Sequence, residues 1–540
     1  MPSTQAIDLP LIMNMSSQQN VQIYLGVAVA VLVVARFAYI QLSGKKRSLP
    51  YPPGPKPLPL LGNLLQLPSK NKEKILTEWG KTYGDVIYAR FLQTPVLIIN
   101  SLKAAQDLLD KKSSKYSDRP QISLFSHLSG WGDVVVGIPY GDRFRKHRKW
   151  IHDSIGSKNS VKSCLAVQRR EAYTLVCGLC DKPESFRLHI NRFAAALLVE
   201  IGYGHTITSL EDMYVVLADK AMTETIDGAY LGLMVADFIP MRILKALPSW
   251  LPGYLGWFVK KASSVKAAST MMLDTPFQMV KDAVAAGTAR PSLAASLLAE
   301  VSAKGDLTKE VETDIKGTVG VLYAAGTETT VSTLSTFFLA MVRYPEIFKK
   351  AREEIDRVVG TDRLPDFDDR EELPYIDAIL QETYRWGCPP NLGVFHRLMF
   401  DDEYRDYHIP AGSSVVTNFW AMTRDESMYP DPETFRPERY TEVDGETAKK
   451  IDPRNYIFGF GRRICPGRFL ADGSEWLAMA SVIASLDISK IRDAAGQEVT
   501  PVAAWNSGFI NHPVRFVADI HPRSKHSADL IHQMSANAVL

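Results

Sequence analysis

The sequence predicts one large, mainly helical domain held behind a single N-terminal membrane-spanning helix. Val21 to Ile40 is a run of 20 residues, mostly Val, Ala, Leu and Ile, interrupted only by Gln22 and Arg36 near its ends, and such a run is long enough to cross a bilayer core. Val311 to Tyr344 carries apolar residues at helical spacing up to Pro345 and reads as one helix, about 50 Å long at ~1.5 Å per residue. No internal repeat or low-complexity linker divides Pro57 to Pro522, and a chain of 540 residues with 46% hydrophobic content can bury a large core.

In chain order, residues 1–20 form a tail without lysine or arginine, and Lys45-Lys46-Arg47 follow the apolar run at 21–40. The positive-inside rule then puts the tail in the lumen and everything downstream in the cytosol. A cleaved signal would carry its charges first and a small-residue cleavage site afterwards, so the run reads as an uncleaved anchor. The sequon Asn14-Met15-Ser16 lies too close to the membrane for glycosylation to be expected. Residues 41–60 form a basic and proline-rich hinge, in which Leu49-Pro50-Tyr51-Pro52-Pro53-Gly54-Pro55 reads as a stiff extended connector. Residues 61–522 make the main domain, and 523–540 a C-terminal tail. Leu231 to Val259, with Phe238, Trp250, Leu251, Tyr254, Trp257 and Phe258, reads either as a core segment or as a stretch that dips into the bilayer interface.

A net charge of +2 argues against nucleic acid as a partner. The five cysteines, at 164, 177, 180, 388 and 465, form no disulfide framework and suit a reducing compartment. Cys177-Gly178-Leu179-Cys180 is a lone Cys-x-x-Cys, read as two thiols on adjacent helix turns.

Phe458-Gly459-Phe460-Gly461-Arg462-Arg463-Ile464-Cys465-Pro466-Gly467 sets one cysteine in a glycine-punctuated loop. Glycine is costly in ordered structure unless the backbone needs unusual dihedrals or a close approach. Gly461 and Gly467 bracket Cys465 and free nearby amides to point at its sulfur, while Arg463 adds positive charge, which suits a thiolate held against a metal. This Phe-x-x-Gly-x-Arg-x-Cys-x-Gly pattern resembles the haem-binding loop of the cytochrome P450 family. The resemblance implies the P450 fold, mainly α with smaller β-sheets, and makes Cys465 the axial ligand of a haem iron, with Phe458, Gly461, Arg463 and Gly467 around the cofactor.

Three further segments extend it. Ala325-Gly326-Thr327-Glu328-Thr329-Thr330, midway along the long helix, is a cluster that helix propensity does not explain. Small side chains let a flat ligand approach, and Thr329 can bond back to a carbonyl one turn earlier, loosening the ladder and opening a pocket for oxygen and water. The cluster resembles the family's oxygen-activating motif, with Thr329 delivering protons, Glu328 as the acid behind it and Gly326 beside the cofactor. Glu382 and Arg385, spaced i and i+3 within a helix expected from Tyr375 to Trp386, would join Arg439 of Phe435-Arg436-Pro437-Glu438-Arg439-Tyr440 in a buried structural network. Tyr140 to Arg148 resembles the helix that presents an arginine to a haem propionate, here Arg148, with Phe144 where tryptophan is common. His396 stands where many relatives also touch a propionate.

A thiolate ligand favours O–O cleavage. The implied activity is therefore monooxygenation of a hydrophobic small molecule, using O2 and two electrons from NADPH through a separate membrane-bound flavoprotein reductase, since the chain has no nicotinamide or flavin fingerprint. Pocket residues by resemblance are Leu124 to Leu128, Leu322, Tyr323, Ala325, Pro390 to Val394 and Gly508-Phe509-Ile510. Anchor and hinge resemble those of microsomal members on the endoplasmic reticulum. Ile201-Gly202-Tyr203-Gly204, Phe395-His396-Arg397-Leu398 and Asp401-Asp402-Glu403-Tyr404-Arg405 are similar to fungal enzymes of specialised metabolism, for which a terpenoid scaffold is the first expectation and an aromatic or polyketide scaffold the second. A haem-thiolate isomerase or dehydratase, or a non-catalytic haem sensor, would share the loop but has little use for Glu328-Thr329.

Overall fold

The computed structural model describes residues 49–68, 70–92, 94–120, 129–235, 250, 254–506 and 508–539. The expected anchor at 21–40, Asn14, the first part of the hinge, the pocket stretch Leu124 to Leu128 and most of the apolar segment Leu231 to Val259 lie outside these residues. Among the described residues no helix is long and apolar enough to cross a membrane.

The helices of ten residues or more are α1 Lys72–Tyr83, α2 Asp142–Ile155, α3 Leu165–Asp181, α4 Phe186–Tyr203, α5 Met213–Val235 and α6 Tyr254–Ala285. They continue with α7 Leu293–Ala303, α8 Lys309–Arg343, α9 Pro345–Val358, α10 Pro374–Gly387, α11 Arg468–Ser485 and α12 Lys525–Val539. The main sheet has the order β1 (Val86–Phe91), β2 (Thr94–Ile99), β6 (Ser414–Thr417), β3 (His396–Arg397). β1 and β2 are antiparallel, β2 and β6 parallel, and β6 and β3 antiparallel, with Ile98 opposite Val416 and His396 opposite Val415. Short ribbons pair β4 (Asp402–Tyr404) with β5 (Tyr407–Ile409), β7 (Leu486–Ser489) with β10 (Asp519–Pro522), and β8 (Trp505–Asn506) with β9 (His512–Pro513). Alternation along β2 sends Leu97 and Ile99 into the main core and Val96 and Ile98 into a second cluster with Ile87, Ala89 and Leu76.

The axis of the domain is α8. Thr308 caps it by accepting from the Val311 amide at 3.3 Å, and Pro345 at the first position of α9 follows its end. Every side chain from Thr330 to Val342 is buried, because α4, α10 and α11 pack around it. The helix expected from Tyr375 to Trp386 is α10, extended by one residue at each end.

Two segments depart from expectation. The described part of the hinge lies along β1: the Tyr88 amide donates to Pro53 at 3.0 Å, the His408 amide to Pro50 at 2.7 Å, and Tyr51 stacks on Tyr88 with centroids 4.3 Å apart. Its prolines present carbonyls and rings to the strand, so this stretch is part of the domain surface. The expected tail at 523–540 contains α12, which packs on α3 with Ile531 wholly buried and Ser527 donating to the Ser485 carbonyl at 2.8 Å.

Candidate active site

Cys465 lies between a 3-10 turn at Gly461–Arg463 and the start of α11. Its amide donates to the Phe458 carbonyl at 2.8 Å, closing the loop, and the Phe458 ring meets Tyr384 of α10 edge-on at 5.4 Å. Gly461 has φ +54°, and a Cβ there would stand 2.4 Å from the Leu109 carbonyl oxygen, so only glycine allows this turn beneath the 102–116 segment. Gly467 serves differently. Its amide bonds the Cys465 sulfur, and a Cβ on it would meet nothing nearer than that sulfur at 4.0 Å, with Ile155 at the same distance.

Burial pushes the Cys465 thiol upward, opposed by the Gly467 amide and then by the charges of Arg148 and Arg468. The positive charge beside the sulfur therefore comes from those two arginines. Arg463, expected in that role, spends its guanidinium on the carbonyls of Ser117 (2.7 Å), Val135 (3.0 Å) and Ile138 (2.8 Å), and lies 3.7 Å from the centroid of Phe144. Phe144, in place of tryptophan, is the platform for that cation. Burial lowers Arg463 to about 10.

Arg148 is placed by α2, which is tied to α8 at Asp314. That carboxylate takes Arg143 at 2.6 Å, Lys146, and His147 at 3.1 Å. No carboxylate or carbonyl among the described residues takes the Arg148 guanidinium, and burial lowers its pKa. His396 on β3 is buried, bonded through Nδ1 to the Tyr116 carbonyl at 2.8 Å, and held well below the usual histidine range first by burial and then by Arg119. Arg119 was not singled out from the sequence. It bonds the Val394 and Phe395 carbonyls, both at 2.7 Å, beside Arg463, and only its surroundings distinguish it from a surface arginine.

On α8, Thr329 Oγ1 donates to the Ala325 carbonyl at 2.9 Å, while the helix continues unbroken, so the expected loosening of the ladder is absent. The opening has another source. Ala325 is exposed in the middle of the helix, between the buried run Gly317 to Ala324 and the buried run from Thr330 onward. At Gly326, expected beside the cofactor, a Cβ would stand 2.7 Å from Leu198 Cδ1, so the missing side chain lets α8 pack closely on α4. Tyr323 is likewise no pocket residue, since its hydroxyl donates to the Tyr214 carbonyl and its ring meets Tyr203 edge-on at 6.3 Å. Glu328 lies 3.0 Å from His512 Nε2 on β9, without the alignment of a hydrogen bond, and near Arg187 and Asp219.

The structure brings Glu382, Arg385 and Arg439 together. Arg385 grips Glu382 with two bonds of 2.7 Å, Arg439 approaches at 3.2 Å, and Tyr440 and the Arg436 amide complete the carboxylate's shell. Arg385 also reaches the Thr423, Pro432 and Thr434 carbonyls, fastening the segment before the Cys465 loop to α10. Glu475 of α11 escaped sequence reading. It is 2% exposed, accepts the Tyr384 hydroxyl at 2.6 Å and meets the Thr330 and Thr333 hydroxyls of α8.

A haem fits these surroundings. The Cys465 thiol is enclosed by protein yet keeps accessible surface, so it borders an internal hollow, as do the exposed Ala325 and the open side of Gly467. Arg119, Arg148, Arg463 and His396 form a mostly buried donor set, whose nearby carboxylate Asp118 already pairs with Arg397 at 3.1 Å. A flat apolar ring with two carboxylates and one iron matches that hollow, donor set and thiol.

Comparison with known proteins agrees. The family model described as Cytochrome P450 matches residues 52–516. Cytochrome P450 monooxygenase 136 of Postia placenta is 44% identical over 96% of this chain and 98% of its own length. Cytochrome P450 monooxygenase 176 of the same fungus is 45% identical, covering 90% and 93%, and Cytochrome P450 monooxygenase COX2 of Coprinopsis cinerea is 37% identical, covering 93% and 95%.

Proposed function

Because the chain belongs to the cytochrome P450 family, as a monooxygenase, we propose that it hydroxylates or further oxidises a hydrophobic small molecule, a terpenoid scaffold first, with electrons from an NADPH-dependent flavoprotein reductase. The overall balance is substrate C–H, O2, NADPH and a proton going to alcohol, water and NADP+. Bound haem supplies the activation of O2 and the transfer of one oxygen atom to carbon. Cys465 would hold its iron, and Arg119, Arg148, Arg463 and His396 its carboxylates.

The chain's own residues do the rest. The Gly467 amide and the Arg148 and Arg468 charges stabilise negative charge on the Cys465 sulfur. Thr329, with its proton given to the Ala325 carbonyl, keeps its oxygen lone pairs for a water in the hollow. Glu328 is one residue away, with His512 at its carboxylate, and would resupply through water the proton that Thr329 passes on when its hydroxyl turns from the Ala325 carbonyl to the hollow. The exposed Ala325 beside Thr329 carries the substrate reading, since it offers a small apolar wall at the reacting end of the pocket.

The anchor at 21–40 and Lys45-Lys46-Arg47 support a single-pass place on the endoplasmic reticulum membrane with the domain in the cytosol, where such a reductase works. The test is reconstitution with reductase and NADPH on a panel of terpene, aromatic and polyketide scaffolds, with mass detection of added oxygen. Oxygen added to terpenes alone supports the reading, and products from only the aromatic or polyketide scaffolds overturn it. Turnover without NADPH would replace it with the isomerase or dehydratase class.

A further inference from the structure

The helices α3 and α12 bring together three residues that the reaction does not use. Cys177 and Asp181 are four apart at the end of α3 and so share one face of the helix. His532 and Ser535 are three apart on α12, which lies across that face. The Cys177 sulfur is 3.4 Å from His532 Nδ1 and 3.9 Å from an Asp181 oxygen, and His532 Nε2 is 3.5 Å from the other Asp181 oxygen. One ligand atom from each residue lies within 4.8 Å of the other two.

We propose that Cys177, Asp181 and His532 form a binding site for a zinc-type divalent cation, which pins the C-terminal helix α12 to α3. A tetrahedral zinc with sulfur at ~2.3 Å and nitrogen and oxygen at ~2.0–2.2 Å separates its ligand atoms by roughly 3.4–3.6 Å. Here the Cys177 sulfur stands 3.4 Å from His532 Nδ1 and 3.9 Å from Asp181, so a small inward shift of the carboxylate brings the three atoms to that spacing. One thiolate, one imidazole and one carboxylate suit zinc and neighbouring transition metals, whereas calcium and magnesium take oxygen. The two anionic ligands balance the metal's charge.

Asp181 and His532 are exposed, which gives the ion an entry path, and a water completes the tetrahedron. Cys180 lies nearby but outside the three-atom cluster, so it is not a ligand. Ser527 bonds Ser485 near the start of α12, and the metal would add a second tie midway along the helix, next to the buried Ile531.

The experiment uses the full-length, haem-loaded protein in detergent, stripped with chelator and titrated with zinc chloride against a competing chelator. Zinc retained per haem iron is measured by elemental analysis, and the alkylation rates of Cys177 and Cys180 by peptide mass spectrometry. One zinc per haem is expected, with Cys177 alkylation slowed. Loss of a ligand in His532→Ala or Cys177→Ser should weaken binding by more than the roughly 10–100-fold that loss of an outer-shell partner costs. Cys180→Ser should bind zinc as the natural chain does. Cys177 alkylation that zinc does not slow, or retention that survives both ligand substitutions, would mean a hydrogen-bonded trio only and overturns the proposal. Loss of zinc in Cys180→Ser overturns the three-ligand assignment.

Discussion

Replacing Glu475 with glutamine removes a carboxyl that the fold works to keep neutral. The side chain sits between α8, α10 and α11, and burial pushes its carboxyl from the ordinary 4.5 up to about 8. Between those pH values an unfolded chain has released the proton and the folded one has kept it, so each pH unit favours unfolding by ~1.36 kcal/mol. The stability that the neutral carboxyl contributes is full below pH 4.5 and is lost as pH rises through about 8, where the total is on the order of 5 kcal/mol. Glutamine keeps an acceptor for the Tyr384 hydroxyl and cannot ionise. Urea midpoints of the haem-loaded chain, read by tryptophan fluorescence at about pH 5 and about pH 8.5, should therefore fall less for Glu475→Gln than for the natural chain. The gap should be on the order of 1 M if m is ~3 kcal/mol/M or more for a protein of this size. Two chains whose midpoints fall in parallel would refute the burial argument.

Gly461→Ala should abolish or sharply reduce haem incorporation, read as absorbance at the Soret band per protein, because its Cβ meets a backbone carbonyl at 2.4 Å and φ is +54°. Gly326→Val should overpack α8 against α4 and lower stability by about 1–3 kcal/mol, and Leu198→Ala in the same chain should restore part of it with the Soret position unchanged. Phe144→Leu should cost roughly 0.5–2 kcal/mol through the lost face beneath Arg463, seen as faster haem loss to apomyoglobin. His512→Phe should leave haem content intact but lower coupling, measured as product per NADPH, since Glu328 loses the group at 3.0 Å.

The sequence made legible what rests on local pattern. The helix at Lys309–Arg343 follows from apolar spacing with a capping threonine and a terminating proline, and the Cys465 loop from glycines that packing does not require. The contact between Glu382, Arg385 and Arg439 was legible only through resemblance, because an i, i+3 acid and base usually mark a solvated face. What stayed hidden depends on which way a side chain turns within a fixed helix. Gly326 and Ala325 are adjacent, small and equally suited to line a cofactor, yet they lie about 100° apart around the axis, so one meets Leu198 and the other opens to the hollow. Arg119 and Glu475 carry no local signal at all, since an arginine before proline and a glutamate in a helix become unusual only when distant segments bury them.

Arg463 shows why the two halves of the site order together. Its guanidinium is committed to the carbonyls of Ser117, Val135 and Ile138 and to the face of Phe144 on α2, so the Cys465 loop is held by the stretches that precede α2 and by α2 itself. These are held in turn: α2 is tied to α8 at Asp314, and Asp118 accepts the Tyr140 amide at 2.8 Å just before α2 begins. Carbonyl oxygens carry only partial charge, so these bonds fix Arg463 without neutralising it. A fixed arginine beside Arg119, Arg148 and the buried His396 is costly in a dry interior, and Asp118 offsets part of that cost. The carboxylates of the cofactor would remove that cost, which makes cofactor binding and closure of the Cys465 loop against α2 one linked equilibrium.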